Sequence, residues 1–330
     1  MLSPKYPGAS AASSSKRNSS VRSRSRIGFQ LRRWNGYQLI FQLSVICVLL
    51  LGALSGATAP TNAAHSAPLR IKGSYVIAAV CRDGIIVASD SRGVVKDRQG
   101  RRLAYYDINQ KIFPVGNSLI ADTGYASLND PNISFLSALM LRFARSRGSA
   151  GHIDDLPDSY FRYVDDTLPI AGAKSAKIQT LVFAGFQGAT PKLCIYKGES
   201  SHNVECQSSG YLSSPNEKIT AFEQIASLSF QEAARVMQKT IDDYAAAIQP
   251  GSVGGPVVIR TMTPSRSRWL SKTPAWPNWS SFADLAKDYN AGRLPYHLMP
   301  GINKSQLDAL IEESAAWASL RQTPAPASSR

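Results

Sequence analysis

The 330 residues carry 37 Lys and Arg against 23 Asp and Glu, a formal net charge of +14. Eight basic residues fall before residue 37 with no acid among them, and setting those eight aside leaves +6, an ordinary balance for the rest of the chain. With no zinc-finger spacing, no Gly-rich phosphate loop and no basic helix interleaved with aromatics, nucleic acid is excluded as the expected partner. His65, His152, His202 and His297 show no ligand spacing, so neither a metal nor another cofactor is expected.

Residues 1–36 read as a disordered basic N-region, rich in Ser, Ala, Gly and Pro and without the material for a core. No charged residue appears between Arg33 and Arg70, and residues 39–54 are almost wholly apolar. Residues 37–64 are therefore a signal peptide or a membrane anchor. The compact apolar centre and the small residues from Ser55 to Ala64 fit a secretory signal cut near Ala59 to Ala64. The alternative is an uncleaved anchor with the basic arm in the cytoplasm. Either way the domain is expected outside the cytoplasm, periplasmic, secreted or tethered, and the membrane is a partner only through this segment.

Two apolar runs at 75–81 and 85–89, joined through Asp83-Gly84, predict a β-hairpin. A second hairpin is expected from 111–115 and 118–122, turning at Gly116-Asn117. Asp130-Pro131 opens a segment with Ile133, Leu136, Met140 and Phe143 at helical spacing. Residues 151–170 give no firm assignment. Strands are expected at 180–186, 192–196 and 204–207, helices at 217–227 and 229–247, and a strand at 256–262. Cys194 and Cys206 flank a polar turn and would face each other across a hairpin, as a disulfide in an oxidising compartment or as two reduced strand cysteines. Residues 264–268 read as a linker, and 264–330 as an extension with an amphipathic helix at 303–321 and a disordered tail. This order is that of an α+β fold, most economically two antiparallel sheets between helical layers, a four-layer αββα sandwich.

The run Gly73-Ser74-Tyr75-Val76-Ile77-Ala78-Ala79-Val80-Cys81-Arg82-Asp83-Gly84, continuing to Asp90-Ser91-Arg92, resembles the start of proteasome β-subunits and their bacterial relatives. The later blocks Gln110-Lys111-Ile112-Phe113-Pro114-Val115-Gly116 and Ala121-Asp122-Thr123-Gly124 resemble them as well. The resemblance spans residues 73–262 in element order and implies an N-terminal-nucleophile hydrolase domain at 74–263, preceded by a propeptide at 65–73. It implies self-processing between Gly73 and Ser74, after which the Ser74 hydroxyl acts as nucleophile and its own amine as base. Asp90 and Lys111 match the family's catalytic acid and lysine, and Gly124 its oxyanion donor. Ser209 and Ser252 match its two supporting serines. Three departures stand against this pattern: Ser in place of Thr at 74, an acid-to-lysine interval about five residues longer than usual through a loop at 95–102, and Gln249 where a supporting Asp is expected. The expected activity is cleavage of a peptide or other amide by a homo-oligomer. The alternatives are a non-catalytic structural or binding subunit of the same fold, and an amidohydrolase that is not a peptidase.

Overall fold

The structure, a computed structural model, describes residues 66–148, 152–198, 203–215, 219–248, 251–272 and 277–320. The leader at 1–64, the first residue of the expected propeptide, Gln249 and the tail lie outside the described residues. No described helix is long and apolar enough to cross a membrane.

Among the described residues the chain forms three antiparallel sheets and six α-helices. The first sheet holds β2 (Val76–Cys81), β3 (Gly84–Ser89), β11 (Tyr211–Ser214), β12 (Val258–Thr263) and β13 (Arg266–Ser271) in the order β11-β2-β3-β12-β13. The second holds β6 (Ile112–Val115), β7 (Ser118–Thr123), β8 (Thr180–Gln187), β9 (Thr190–Lys197) and β10 (Val204–Gln207) in the order β10-β9-β8-β7-β6. The third is built from β1 (Arg70–Lys72), β4 (Gly93–Lys96), β5 (Arg102–Tyr106) and β14 (Tyr296–Leu298), in that order.

β2 and β3 are apolar at nearly every position because both their faces are buried. Val76, Ala78, Ile85 and Val87 point one way, into a cluster with Ile112, Leu119, Ala121, Val182 and Leu193 of the second sheet. The alternate residues Ile77, Ala79, Ile86 and Ala88 point the other way, against Phe230, Ala233, Met237 and Ile241 of α4 (Phe230–Ala247). That helix starts where Ser229 and Glu232 close a reciprocal capping box. The far face of the second sheet, including Phe113, Ile120, Leu181 and Phe183, joins a third cluster with α1 (Leu136–Arg147), α2 (Leu156–Thr167) and α3 (Ile170–Lys177). Residues of the third sheet and of α5 (Phe282–Asn290) and α6 (Lys304–Leu320) complete that cluster.

Several sequence expectations differ from this arrangement. The loop expected at 95–102 is shorter than that: Val95 and Lys96 belong to β4 and Arg102 to β5, which pair with each other, and only 97–101, closed by Asp97 and Arg101, turns between them. The helix expected from 217 is two single 3₁₀ turns, Thr220–Phe222 and Ile225–Ser227. The linker at 264–268 is the tight turn into β13, where Thr263 and Arg266 pair. The helix read from Asp130 begins six residues later, because the Asp130 carboxylate accepts from the backbone N–H groups of Asn132 and Ile133 and holds a turn.

Candidate active site

The register of the first hairpin places a carboxylate beside the entry to β2. Val76 pairs with Ser89, so the next pair outward sets Tyr75 against Asp90. Tyr75 N–H donates to Asp90 Oδ1 at 2.7 Å, and Asp90 N–H returns a bond to the Tyr75 carbonyl at 3.2 Å. Lys111, at the entry to β6, donates from Nζ to the same Oδ1 at 2.7 Å, and both side chains are 0% exposed. Asp90 Oδ2 accepts from the N–H groups of Arg92 (3.2 Å) and Gly254 (3.1 Å). A buried ion pair repays its desolvation only when the remaining lone pairs are satisfied, and here each carboxylate oxygen has two donors. Burial pulls the Lys111 ammonium below its ordinary pKa, while the adjacent Asp90 charge and hydrogen bond oppose that shift. Across the β6–β7 ladder, Asp122 is buried and pushed up to about 8 by desolvation, with Lys111 pulling the other way.

The peptide bond before β2 is fixed by two glycines. Gly73 has φ +127°, and a Cβ there would lie 2.6 Å from the Ser252 carbonyl oxygen, so only glycine fits. Its N–H donates to the Gly124 carbonyl at 3.1 Å. Gly124 itself has φ +136°, and a Cβ would lie 2.7 Å from Gln179 Oε1, the atom that accepts from Tyr125 N–H. The Ser74 hydroxyl donates to the Gly73 carbonyl at 2.6 Å. Ser74, Thr123, Gly124, Gln179 and Ser214 line a cavity of about 320 Å³.

The structure thus brings Gly73, Ser74, Asp90, Lys111, Gly124 and the Ser252 backbone to one end of β2. Ser209 is not among them. Because Tyr211 pairs with Ala79 and Ser214 with Val76, Ser209 falls at the opposite end of β2, in an exposed bend. The several strand residues between, at about 3.3 Å each, rule out a hydrogen bond to residue 74. The serine on that strand that does line the cavity is Ser214, whose Oγ shares a 2.6 Å hydrogen bond with Thr123 Oγ1. Sequence reading missed β11 because four residues of mixed polarity carry little alternation. Gln179 was missed too, since an isolated Gln between a helix and a strand has no pattern.

Cys194 and Cys206 are directly opposite in the β9–β10 register and are joined as a disulfide, with Cα atoms 4.0 Å apart.

No protein-family model matches the chain, and no curated protein matches it. Among solved structures the chain is similar to an Anbu (Gly-1) mutant from Hyphomicrobium sp. strain MC1, at 14% identity over 76% of this chain and 96% of that one, with a TM-score of 0.39.

Proposed function

We propose that this chain is an exported hydrolase of the proteasome-like, N-terminal-nucleophile type, a four-layer αββα sandwich that frees Ser74 by cutting its own Gly73–Ser74 bond and then cleaves peptides or other amides. The observation that carries the reading is the fully buried Lys111–Asp90 pair, held one residue from Ser74 through the Tyr75 N–H. Buried charges with a full set of donors are costly to assemble, and they concentrate where chemistry requires a displaced pKa.

Self-processing would proceed as an acyl shift. The Ser74 Oγ attacks the Gly73 carbonyl carbon, the hydroxyl proton passes to the Ser74 nitrogen, and the C–N bond breaks to leave an ester. Water then hydrolyses the ester, releasing the Gly73 carboxylate and a Ser74 with free amine and free hydroxyl. The hydroxyl already lies against the Gly73 carbonyl, which supports the first step. In the processed chain the Ser74 amine takes the hydroxyl proton as Oγ attacks a substrate carbonyl, and the amine later delivers it to the leaving nitrogen. The Lys111 ammonium lowers the basicity of that amine toward neutral pH, and Asp90 keeps the ammonium charged and placed. Gly124 serves as oxyanion donor. Thr123 and Ser214, hydrogen-bonded to each other at the cavity wall, take the supporting place that the resemblance assigns to Ser209.

Export is supported by the apolar segment at 37–64 and by the Cys194–Cys206 disulfide, which belongs in an oxidising compartment. A homo-oligomer follows from the family resemblance alone. A second reading, a non-catalytic binding subunit, is favoured by one observation: the residues before Ser74 form β1, whose Ile71 is fully buried with Leu69 in the core. The N-terminal sequence and intact mass of the exported protein, wild type and Ser74→Ala, decide between them. A wild-type chain beginning at Ser74, with the variant still carrying the preceding residues, is expected. A wild-type chain retaining those residues establishes the non-catalytic reading.

A further inference from the structure

Three cations stand in a row across three adjacent strands. Arg70 of β1 is directly opposite Lys96 of β4, and Lys96 is directly opposite Arg102 of β5. Like charges at directly opposed positions destabilise a sheet, and among the described residues no carboxylate lies within ion-pair distance of any of them. Lys96 is half-buried, and burial together with Lys72 and Arg102 pulls its ammonium below the ordinary lysine value. On the other face of the same segment Leu69 and Ile71 are fully buried, in the cluster that contains Leu103, Tyr106, Leu128 and Phe135. The segment is wedged between two backbones. On one side it pairs with β4; on the other, Gly73 N–H donates to the Gly124 carbonyl and Ala126 N–H to the Ile71 carbonyl. It runs directly into the Gly73–Ser74 bond.

We infer that the groove now filled by β1 selects extended peptides with large apolar side chains at the third and fifth positions before the cut bond and an acidic side chain at the fourth, with Lys96 and Arg102 as the specificity-determining pair. This rests on the hydrolase reading above. Counting back from the bond, Gly73 stands first, Ile71 third, Arg70 fourth and Leu69 fifth. Side chains alternate along a strand, so a peptide replacing β1 presents its third and fifth residues to the apolar cluster and its fourth to Lys96. The chain's own propeptide satisfies the apolar positions and mismatches the charged one. An acidic peptide therefore outcompetes the released propeptide, which keeps the processed enzyme from being held by its own product.

The test uses the processed chain, confirmed by mass to begin at Ser74, and two coumarin amides, acetyl-Leu-Glu-Ile-Lys-Gly and acetyl-Leu-Arg-Ile-Lys-Gly. We expect kcat/KM on the order of tenfold higher for the Glu peptide at low salt, the size of a few cross-strand charge contacts. The gap should close near about 1 M salt, where the screening length falls to about 3 Å. Lys96→Glu is expected to reverse the preference and Arg102→Gln to shrink it, each variant first shown by mass to process at Ser74. Equal rates for the two peptides, or a preference for Arg, overturn the inference and leave the hydrolase reading standing. A chain that does not begin at Ser74, or that hydrolyses neither peptide nor casein, overturns both.

Discussion

Asp90 accepts four hydrogen bonds, three from backbone N–H groups and one from Lys111, so the two partners of the pair are not equivalent. Removing the carboxylate in Asp90→Ala leaves a buried ammonium with no counter-charge and three unpaired donors, and about 3–5 kcal/mol of stability is expected to go with it. In Lys111→Met the remaining carboxylate keeps its three N–H donors, and the loss should be roughly half as large. Urea denaturation of both variants checks this, and a larger loss for Lys111→Met than for Asp90→Ala would contradict it. Asp122 sets a pH dependence of the opposite kind to a usual surface acid. Its folded pKa of about 8 lies above its ordinary value of 3.8, so between those values the folded state holds more protons than the unfolded state. Stability from this group is fully present below about pH 4 and is lost as pH rises toward 8. Asp122→Asn removes the penalty, and its stability relative to wild type should increase from pH 5 to pH 8. A constant difference across that range would mean that Asp122 is ionised in the fold throughout.

At the level of elements, what could be read from the sequence is whatever forms a bounded apolar run, keeps a helical period or caps. The hairpin β2–β3 and the β6–β7 hairpin were legible as short, nearly continuous apolar runs and α4 by apolar residues recurring at a period of 3.6, with Asp83-Gly84, Gly116-Asn117 and Ser229 marking the ends. Those same elements carry Asp90, Lys111 and Gly124, so most of the candidate site was legible with them. β1, β11 and β14 were not: each has only three or four residues, and each is a strand only because a longer neighbour offers it an edge. For that reason the sequence points to Ser209 and not to Ser214, since without β11 nothing fixes which serine reaches the nucleophile. The segment before Ser74 is the case with the largest consequence. Its length and position fit a leader to be discarded, but Ile71 is fully buried, its carbonyl accepts from Ala126 and its N–H donates to Ser127 Oγ. In the unprocessed Ser74→Ala chain, Ile71→Ala should therefore cost about 2–5 kcal/mol, as a core truncation does. A loss under about 0.5 kcal/mol, typical of surface positions, would show that the segment is only laid on the fold.

For the molecule as a whole, the question is whether residues after 272 are an appendage or part of the fold. The sequence favours an appendage, because Pro264 and the proline-rich stretch at 274–277 break the pattern that precedes them. The packing says otherwise. Trp279 meets Tyr106 and Phe135 with ring centroids 5.7 Å from each, Phe282 lies 5.2 Å from Phe135 and 6.0 Å from Trp317, and β14 supplies the fourth strand of the sheet that holds β1. Aromatic residues bury 150–250 Å² each, so even two of them, at about 25 cal/mol per Å², are worth several kcal/mol, comparable to the whole net stability of a domain. A chain ending at Lys272 would uncover Tyr106 and Phe135 and open the outer edge of β5, in the sheet that holds β1. We expect that truncated protein to lose cooperative thermal unfolding and to bind a hydrophobic dye, with β1 no longer protected from hydrogen exchange. The same melting temperature with and without residues 273–330 would instead make the C-terminal part a separate unit. β1 would then hold its place through β4 and the strip from Tyr125 to Ser127 alone, and the groove leading to Ser74 would owe nothing to the extension.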